Sequence, residues 1–302
     1  MSGAVDSTSK QASKQAYLII AHKADTVFRT LIQMLDHPKN DIFIHMDAKT
    51  KSYNPADTEA LVKHSRVIHA PRVKVTWGGY SQIEAELILL EAATSQGHYE
   101  HYHLISGADL PVKTQDEITA FFEAHHGIEF VNFMSDTFTC EERVRYYYPF
   151  QEIKGRRGSI MLRIMAKLML VFQKILHVHR SRSIKFQKGT QWVSITDEFA
   201  RYILSRREWI RKVFHDTLIP DEIFIQTLLI NSPFISNLYR REFDDKHESS
   251  CARLIDWKRG SPYTFCLSDL EEIQNSPAMF ARKFDEVVDA DIVRKIQELY
   301  SR

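Results

Sequence analysis

Between Tyr17 and Phe133 the chain alternates short apolar runs with stretches of helical spacing, a pattern that few folds accommodate. The runs are Tyr17-Leu18-Ile19-Ile20-Ala21, Ile42-Phe43-Ile44-His45-Met46, Val67-Ile68-His69, His101-Tyr102-His103-Leu104-Ile105 and Glu129-Phe130-Val131-Asn132-Phe133. The helical stretches are Asp25 to Leu35, Ser81 to Ala93 (Ile83, Leu87 and Leu90 on one side) and Gln115 to His125. Strands alternating with helices build βαβ units, which assemble into a mostly parallel sheet covered by helices. The expected fold class is therefore α/β, with a Rossmann-like central sheet. Ligands of such sheets sit beyond the carboxyl ends of the strands, and His22, Asp47 and Asp109 lie just past those ends.

No Gly-x-Gly-x-x-Gly fingerprint and no Walker A loop accompanies the strands, so dinucleotide and P-loop readings gain no support. Neither a repeat nor a Pro/Gly-rich linker interrupts residues 15–302, which are expected to form a single domain. Met1 to Lys14, rich in Ser, Ala and Lys, reads as a disordered tail rather than a signal peptide. The net charge of +1 gives no general reason to bind nucleic acid. Cys140, Cys251 and Cys266 are few, odd in number and far apart, as expected of free thiols in a reducing compartment. No run approaches the roughly 20 uncharged residues that span a bilayer. A cytoplasmic protein is expected, at most peripheral at the inner face of the cell membrane.

Residues 156–188 stand apart as a basic insertion. Ile160 to Val178 is strongly apolar, yet Arg163, Lys167, Lys174 and His177 share one narrow helical stripe, flanked by Arg156, Arg157, Arg180, Arg182, Lys185 and Lys188. One reading is a core helix with a solvated edge. The other is a basic amphipathic helix lying on an anionic membrane.

Chemistry-bearing residues gather in the last third. Gly189-Thr190-Gln191-Trp192-Val193-Ser194-Ile195 reads as a floor strand. Pro220-Asp221-Glu222 opens a helix that is apolar from Ile223 to Ile230. Glu222 there either serves the helix dipole or faces a cleft as a general base. Lys283, in Phe280-Ala281-Arg282-Lys283-Phe284, is either a surface lysine or a fixed cation for a departing diphosphate. Metal binding finds little support. His98, His101 and His103 lack a completing ligand. Asp289-Ala290-Asp291 opens the last helix, where capping is the ordinary role. No Gly-x-Ser-x-Gly elbow is present to support acyl transfer.

With these residues in view, the chain resembles the core-2/I-branching β-1,6-N-acetylglucosaminyltransferase and peptide O-xylosyltransferase family, glycosyltransferase family 14. The likeness runs collinearly from Tyr17 to the C-terminus. It passes through Tyr17-Leu18-Ile19-Ile20-Ala21-His22, Ile44-His45-Met46-Asp47-Ala48-Lys49, Val75-Thr76-Trp77-Gly78-Gly79-Tyr80-Ser81 and Leu104-Ile105-Ser106-Gly107-Ala108-Asp109-Leu110-Pro111, then through the three segments above. Trp77-Gly78-Gly79 and Leu254-Ile255-Asp256-Trp257 look closer to the xylosyltransferases.

The resemblance implies a GT-A-like fold, a UDP-sugar donor, inversion at the anomeric carbon and no divalent metal. It makes Glu222 the catalytic base and places His22, Asp47, Arg259 and Lys283 at the nucleotide and diphosphate. In place of Arg259, Lys258 and Arg253 are substitutes. Asp109, Trp192 and Trp257 fall to the donor or acceptor sugar. It further implies a bacterial-type member that builds surface polysaccharide on a glycan acceptor, lipid-linked in one version, with no nucleic-acid partner. Two rivals stay open at this point: a glycoside hydrolase with two carboxylates, and an inactive glycan- or membrane-binding protein of the same fold.

Overall fold

A computed structural model describes residues 14–156, 158–180 and 183–301. The expected tail, Lys14 apart, lies outside the described residues, as do Arg157 and Arg182. Eight strands form two sheets: β1 (Gln15–Ala21), β2 (Asn40–Met46), β3 (Arg66–His69), β4 (His101–Ser106), β5 (Asp109–Pro111), β6 (Ser194–Ile195), β7 (Arg253–Ile255) and β8 (Phe280–Arg282). The larger sheet runs β3-β2-β1-β4-β6, and only β6 is antiparallel to its neighbour. The smaller runs β5-β8-β7, with Asp109 opposite Arg282 and Ile255 opposite Arg282 on the other side. This is the expected α/β arrangement, a mostly parallel central sheet with helices on its faces.

Strand periodicity divides the core. Ala16, Leu18, Phe43, Tyr102 and Leu104 face one apolar cluster, with helices Ser81–Thr94 and Asp197–Ser205. Tyr17, Ile19, Ile42, Ile44 and Ile105 face the other, with helices Thr26–Met34 and Ala290–Tyr300. Successive strand residues point to opposite faces, so each strand feeds both layers.

Arg253 joins the two sheets. Its guanidinium, 1% exposed, donates to Val193 O (2.8 Å), Leu104 O (3.4 Å), Ser194 Oγ (2.8 Å) and Cys251 O, and lies 4.8 Å from the Phe280 ring centroid. Burial, with no carboxylate bonded to it, pulls it down to about 10.

Four elements differ from expectation. Glu129–Phe133 makes only isolated bridges, Glu129 to Leu238 and Phe130 to Ser194, and the Asn132 side chain accepts from the Thr190 N–H (3.2 Å). The floor strand is confined to Ser194–Ile195. Pro220–Glu222 forms a 3-10 turn ahead of helix Phe224–Ile230, entered through Ile219 in the left-handed region (φ 50°). The core-helix reading of Ile160–Val178 is corrected outright. Helix Ile160–Ile175 buries Gln173 alone, and its apolar side chains face outward.

Candidate active site

A cavity of about 750 Å³ opens past the carboxyl ends of β1 and β2, lined by His22, Asp47, Lys49, Thr50, Val75, Trp77 and Gln82 among others. Asp47 is 5% exposed, and its Oδ1 accepts from the Lys49 N–H (2.8 Å). The Lys49 ammonium lies 3.2 Å from Oδ2. The exposed His22 is held by its backbone, whose carbonyl accepts from Thr50 Oγ1 (2.6 Å). Trp77 is shaped into the rim by Gly78, whose φ of 72° suits glycine. Ile219 donates to the Gly78 carbonyl (3.0 Å), so this rim and the Pro220–Glu222 turn are stitched together.

Gln82 carries the link further, donating to Asp221 Oδ2 at 2.8 Å. Asp221 is buried, its Oδ1 finds no partner, and burial together with the Glu222 charge pushes its carboxyl up to about 7. Beside it Glu86, also buried, accepts from Gln191 (2.7 Å) and is held well above the usual carboxylate range by burial and by Asp221. Neither points at a reaction site. Both lie in the floor.

Glu222 points the other way and is half-buried. Its Oε2 takes Arg143 Nη1 at 2.8 Å and Lys188 Nζ at 3.3 Å, while Oε1 has no hydrogen bond among the described residues. Two cations on one oxygen hold the carboxylate in place and leave the second oxygen free to accept a proton. The Glu222 carbonyl accepts from Gly189 N–H (3.0 Å). A Cβ at position 189 would run into the Asn132 carbonyl oxygen, so only glycine allows this approach.

Three residues along the same segment, Trp192 carries the guanidinium of Arg282, 3.9 Å from its ring centroid. Arg282 Nε lies 3.5 Å from Asp109 Oδ1, and Nε and Nη1 are buried without a hydrogen bond. Asp109 itself accepts from Ser106 N–H (2.8 Å) and Ser106 Oγ (2.7 Å). Lys283 follows Arg282, and its ammonium has neither ion pair nor hydrogen bond among the described residues. Trp192 is thus a platform for a cation. At 8% exposure it offers a sugar almost nothing, contrary to the role expected for it. Trp257, 46% exposed beyond the end of β7, keeps an open ring face beside His247 (6.5 Å between centroids).

Arg259 also departs from its expected place. It is gripped by Asp256, Asp269 (2.6 Å) and Glu272 (2.6 Å), and stacks on Tyr263 at 4.2 Å. A guanidinium already matched by three carboxylates has little net charge to offer an anion. Its substitute Arg253 is buried between the sheets. Sequence reasoning overlooked Arg143, Lys188 and Arg282. Arg282 stood next to the chosen lysine, but nothing in the sequence brings Arg143 or Lys188 to Glu222. Elsewhere the Asp289 carboxylate caps the last helix through the Asp291 and Ile292 N–H groups. His103 is spent on Ser194 and Gln15.

The family model for the Core-2/I-Branching enzyme matches residues 15–276, which hold Glu222, Asp47 and Trp257 and stop short of Arg282 and Lys283. The chain belongs to this family of glycosyltransferases. Human xylosyltransferase 1 is 23% identical over 93% of this chain and 30% of that protein. Rat xylosyltransferase 2 is 23% identical over 92% of this chain and 32% of the protein. Xylosyltransferase sqv-6 of Caenorhabditis briggsae is 24% identical over 86% and 33%. The chain therefore spans about a third of the length of these relatives. Mouse xyloside xylosyltransferase 1, apo form, overlaps more loosely, with 10% identity and a TM-score of 0.35 over 88% of this chain and 96% of that one.

Proposed function

We propose that this family member is a metal-independent, inverting glycosyltransferase that moves a sugar, GlcNAc or xylose, from UDP to a hydroxyl of a glycan. One observation carries the reading. Segment Gly189–Trp192 touches Glu222 at one end and supports Arg282 at the other. Three residue steps span at most about 11 Å, so one short segment ties the proposed base to the proposed cation.

In this mechanism Glu222 Oε1 takes the proton of the acceptor hydroxyl as that oxygen attacks C1. The bond from C1 to the β-phosphate oxygen breaks on the opposite face, and its electron pair leaves with UDP. Arg282 and Lys283 meet the growing charge. Fixed cations of this kind are worth about 3–4 kcal/mol each when removed, which supports a mechanism without a divalent ion. The cavity past β1 and β2, with Asp47 and His22 at its wall, is the place for the nucleoside. Trp257 offers its open face to the acceptor sugar.

The two carboxylates nearest Glu222 in the floor do not serve the hydrolase alternative. Asp221 is buried and bonded to Gln82, and Glu86 lies in the floor, so neither flanks the same bond as Glu222. The test is transfer from a panel of UDP-sugars in chelator, with product configuration read by NMR. A β-linked product from an α-linked donor supports the reading. Strict dependence on added manganese, or retention of configuration, overturns it.

A further inference from the structure

Helix Ile160–Ile175 displays what the rest of the molecule buries. Ile160, Ile164, Leu168, Phe172 and Ile175 are 70, 52, 63, 59 and 67% exposed. At about 100° per residue, Leu162, Ala166, Leu170 and Gln173 form the inner edge. Gln173 fastens that edge, accepting from the Tyr147 N–H (2.8 Å) and donating to the Tyr147 carbonyl (2.9 Å). Arg163 and Lys167 form a basic stripe alongside it, continued by Lys174, whose ammonium is paired with Glu142 (2.7 Å). The apolar side chains fill most of the remaining arc, and no Asp or Glu occurs in the helix.

We propose that this helix lies in the headgroup layer of an anionic phospholipid bilayer. Its apolar arc enters the acyl boundary, its basic stripe sits at phosphate level, and the active site is held against the lipid to receive a lipid-borne acceptor. The last clause rests on the glycosyl-transfer reading; the docking does not. Charge selects the occupant. A second copy packed on this face would bring like-charged stripes together, whereas anionic headgroups complement them. Length selects the mode. Sixteen residues span about 24 Å, short of the roughly 30 Å hydrocarbon core, and among the described residues no helix is long and apolar enough to cross a membrane.

The insertion is bolted to the site at both ends. Before the helix, Gln151 donates to the Trp77 carbonyl (2.9 Å), and Glu152 accepts from the Ser81 N–H (2.7 Å) and Oγ (2.9 Å). Trp77 lines the cavity past β1 and β2. Near the helix's C-terminal end, Gln173 anchors Tyr147, two residues beyond helix Glu141–Arg145, whose Arg143 grips Glu222. A lipid surface under the helix is thereby tied, through Tyr147 and the helix of Arg143, to the carboxylate assigned as the base.

Co-sedimentation with phosphatidylglycerol/phosphatidylcholine vesicles, against phosphatidylcholine alone, tests the docking. The wild type should partition to anionic vesicles roughly tenfold more strongly or better, less so at high salt. Leu168→Glu/Phe172→Glu and Arg163→Gln/Lys167→Gln should each lose roughly that factor, with unchanged thermal unfolding and UDP binding. Equal partition of wild type and variants overturns the proposal, as does a concentration-dependent dimer, abolished by Leu168→Glu/Phe172→Glu, without vesicle binding. Vesicle binding without any transferase activity leaves the dock standing and removes the catalytic reading. Transfer to a soluble glycan without vesicle binding does the reverse.

Discussion

Arg282 stacks on Trp192 at 3.9 Å and stands opposite Asp109 in the β5–β8 ladder, so one guanidinium is positioned by an aromatic face and a carboxylate together. A planar cation held this way is not interchangeable with an ammonium. Arg282→Lys and Arg282→Ala should both cut the thermal stabilisation given by UDP. Arg259→Ala should lower the melting temperature of the free protein and leave the UDP-induced shift intact. A UDP response lost with Arg259 and kept without Arg282 would refute this division of labour.

Glu222→Gln should reduce transfer by about 10²–10⁴-fold, the usual contribution of a general base, while UDP still binds. Arg143→Ala should also impair turnover, since Glu222 Oε2 would keep only Lys188 and the carboxylate could swing. Steady-state kinetics separates the two: the first change falls on kcat, and the second should spread over kcat and KM.

Asp221 makes folding stability depend on pH. Its ordinary value is 3.8, and in the folded protein burial and the Glu222 charge raise it to about 7. Below 3.8 both states carry the proton. Between these values the native state holds a proton that the unfolded chain releases, so stability falls as pH rises through the window. The shift of about three units corresponds to at most about 4 kcal/mol. Glu86, raised in the same direction, adds to the slope, while Arg143 opposes it by favouring the charged Asp221. Asp221→Asn should flatten the decline between about pH 4 and about 7 in thermal melts. An unchanged slope would show that Asp221 is already ionised.

Gly189→Ala should be among the most damaging single changes, because the added methyl meets the Asn132 carbonyl. Overpacking of this kind costs about 1–3 kcal/mol. If the variant folds, loss of the Gly189 to Glu222 bond should appear as lower activity at normal UDP affinity.

Local patterning made the first half of the fold legible. The β1, β2 and β4 runs, the helices and the polar residues just past the strands follow from periodicity and from the position of strand ends. The short strands were not legible as pairs. Nothing local places β5 beside β8, or β7 on its far side, because two to four ladder bonds in each are set by distant packing around Arg253. Glu222 was visible from the helix start and the apolar run behind it. Arg143 and Lys188 were hidden, since one reaches that carboxylate from a short helix and the other from a loop, across 79 and 34 residues. Arg259 misled because an arginine near the right motif looks the same whether or not acids surround it.

The three-residue ladder between β5 and β8 has a consequence for how variants of this protein should fail. Side chains on a strand change faces at every step. A slip of one position would turn Arg282 away from Trp192 and Asp109 away from Arg282 at the same moment. Damage near Leu110 or Ala281 should thus produce enzymes that either keep their phosphate grip or lose it whole, with few intermediates between.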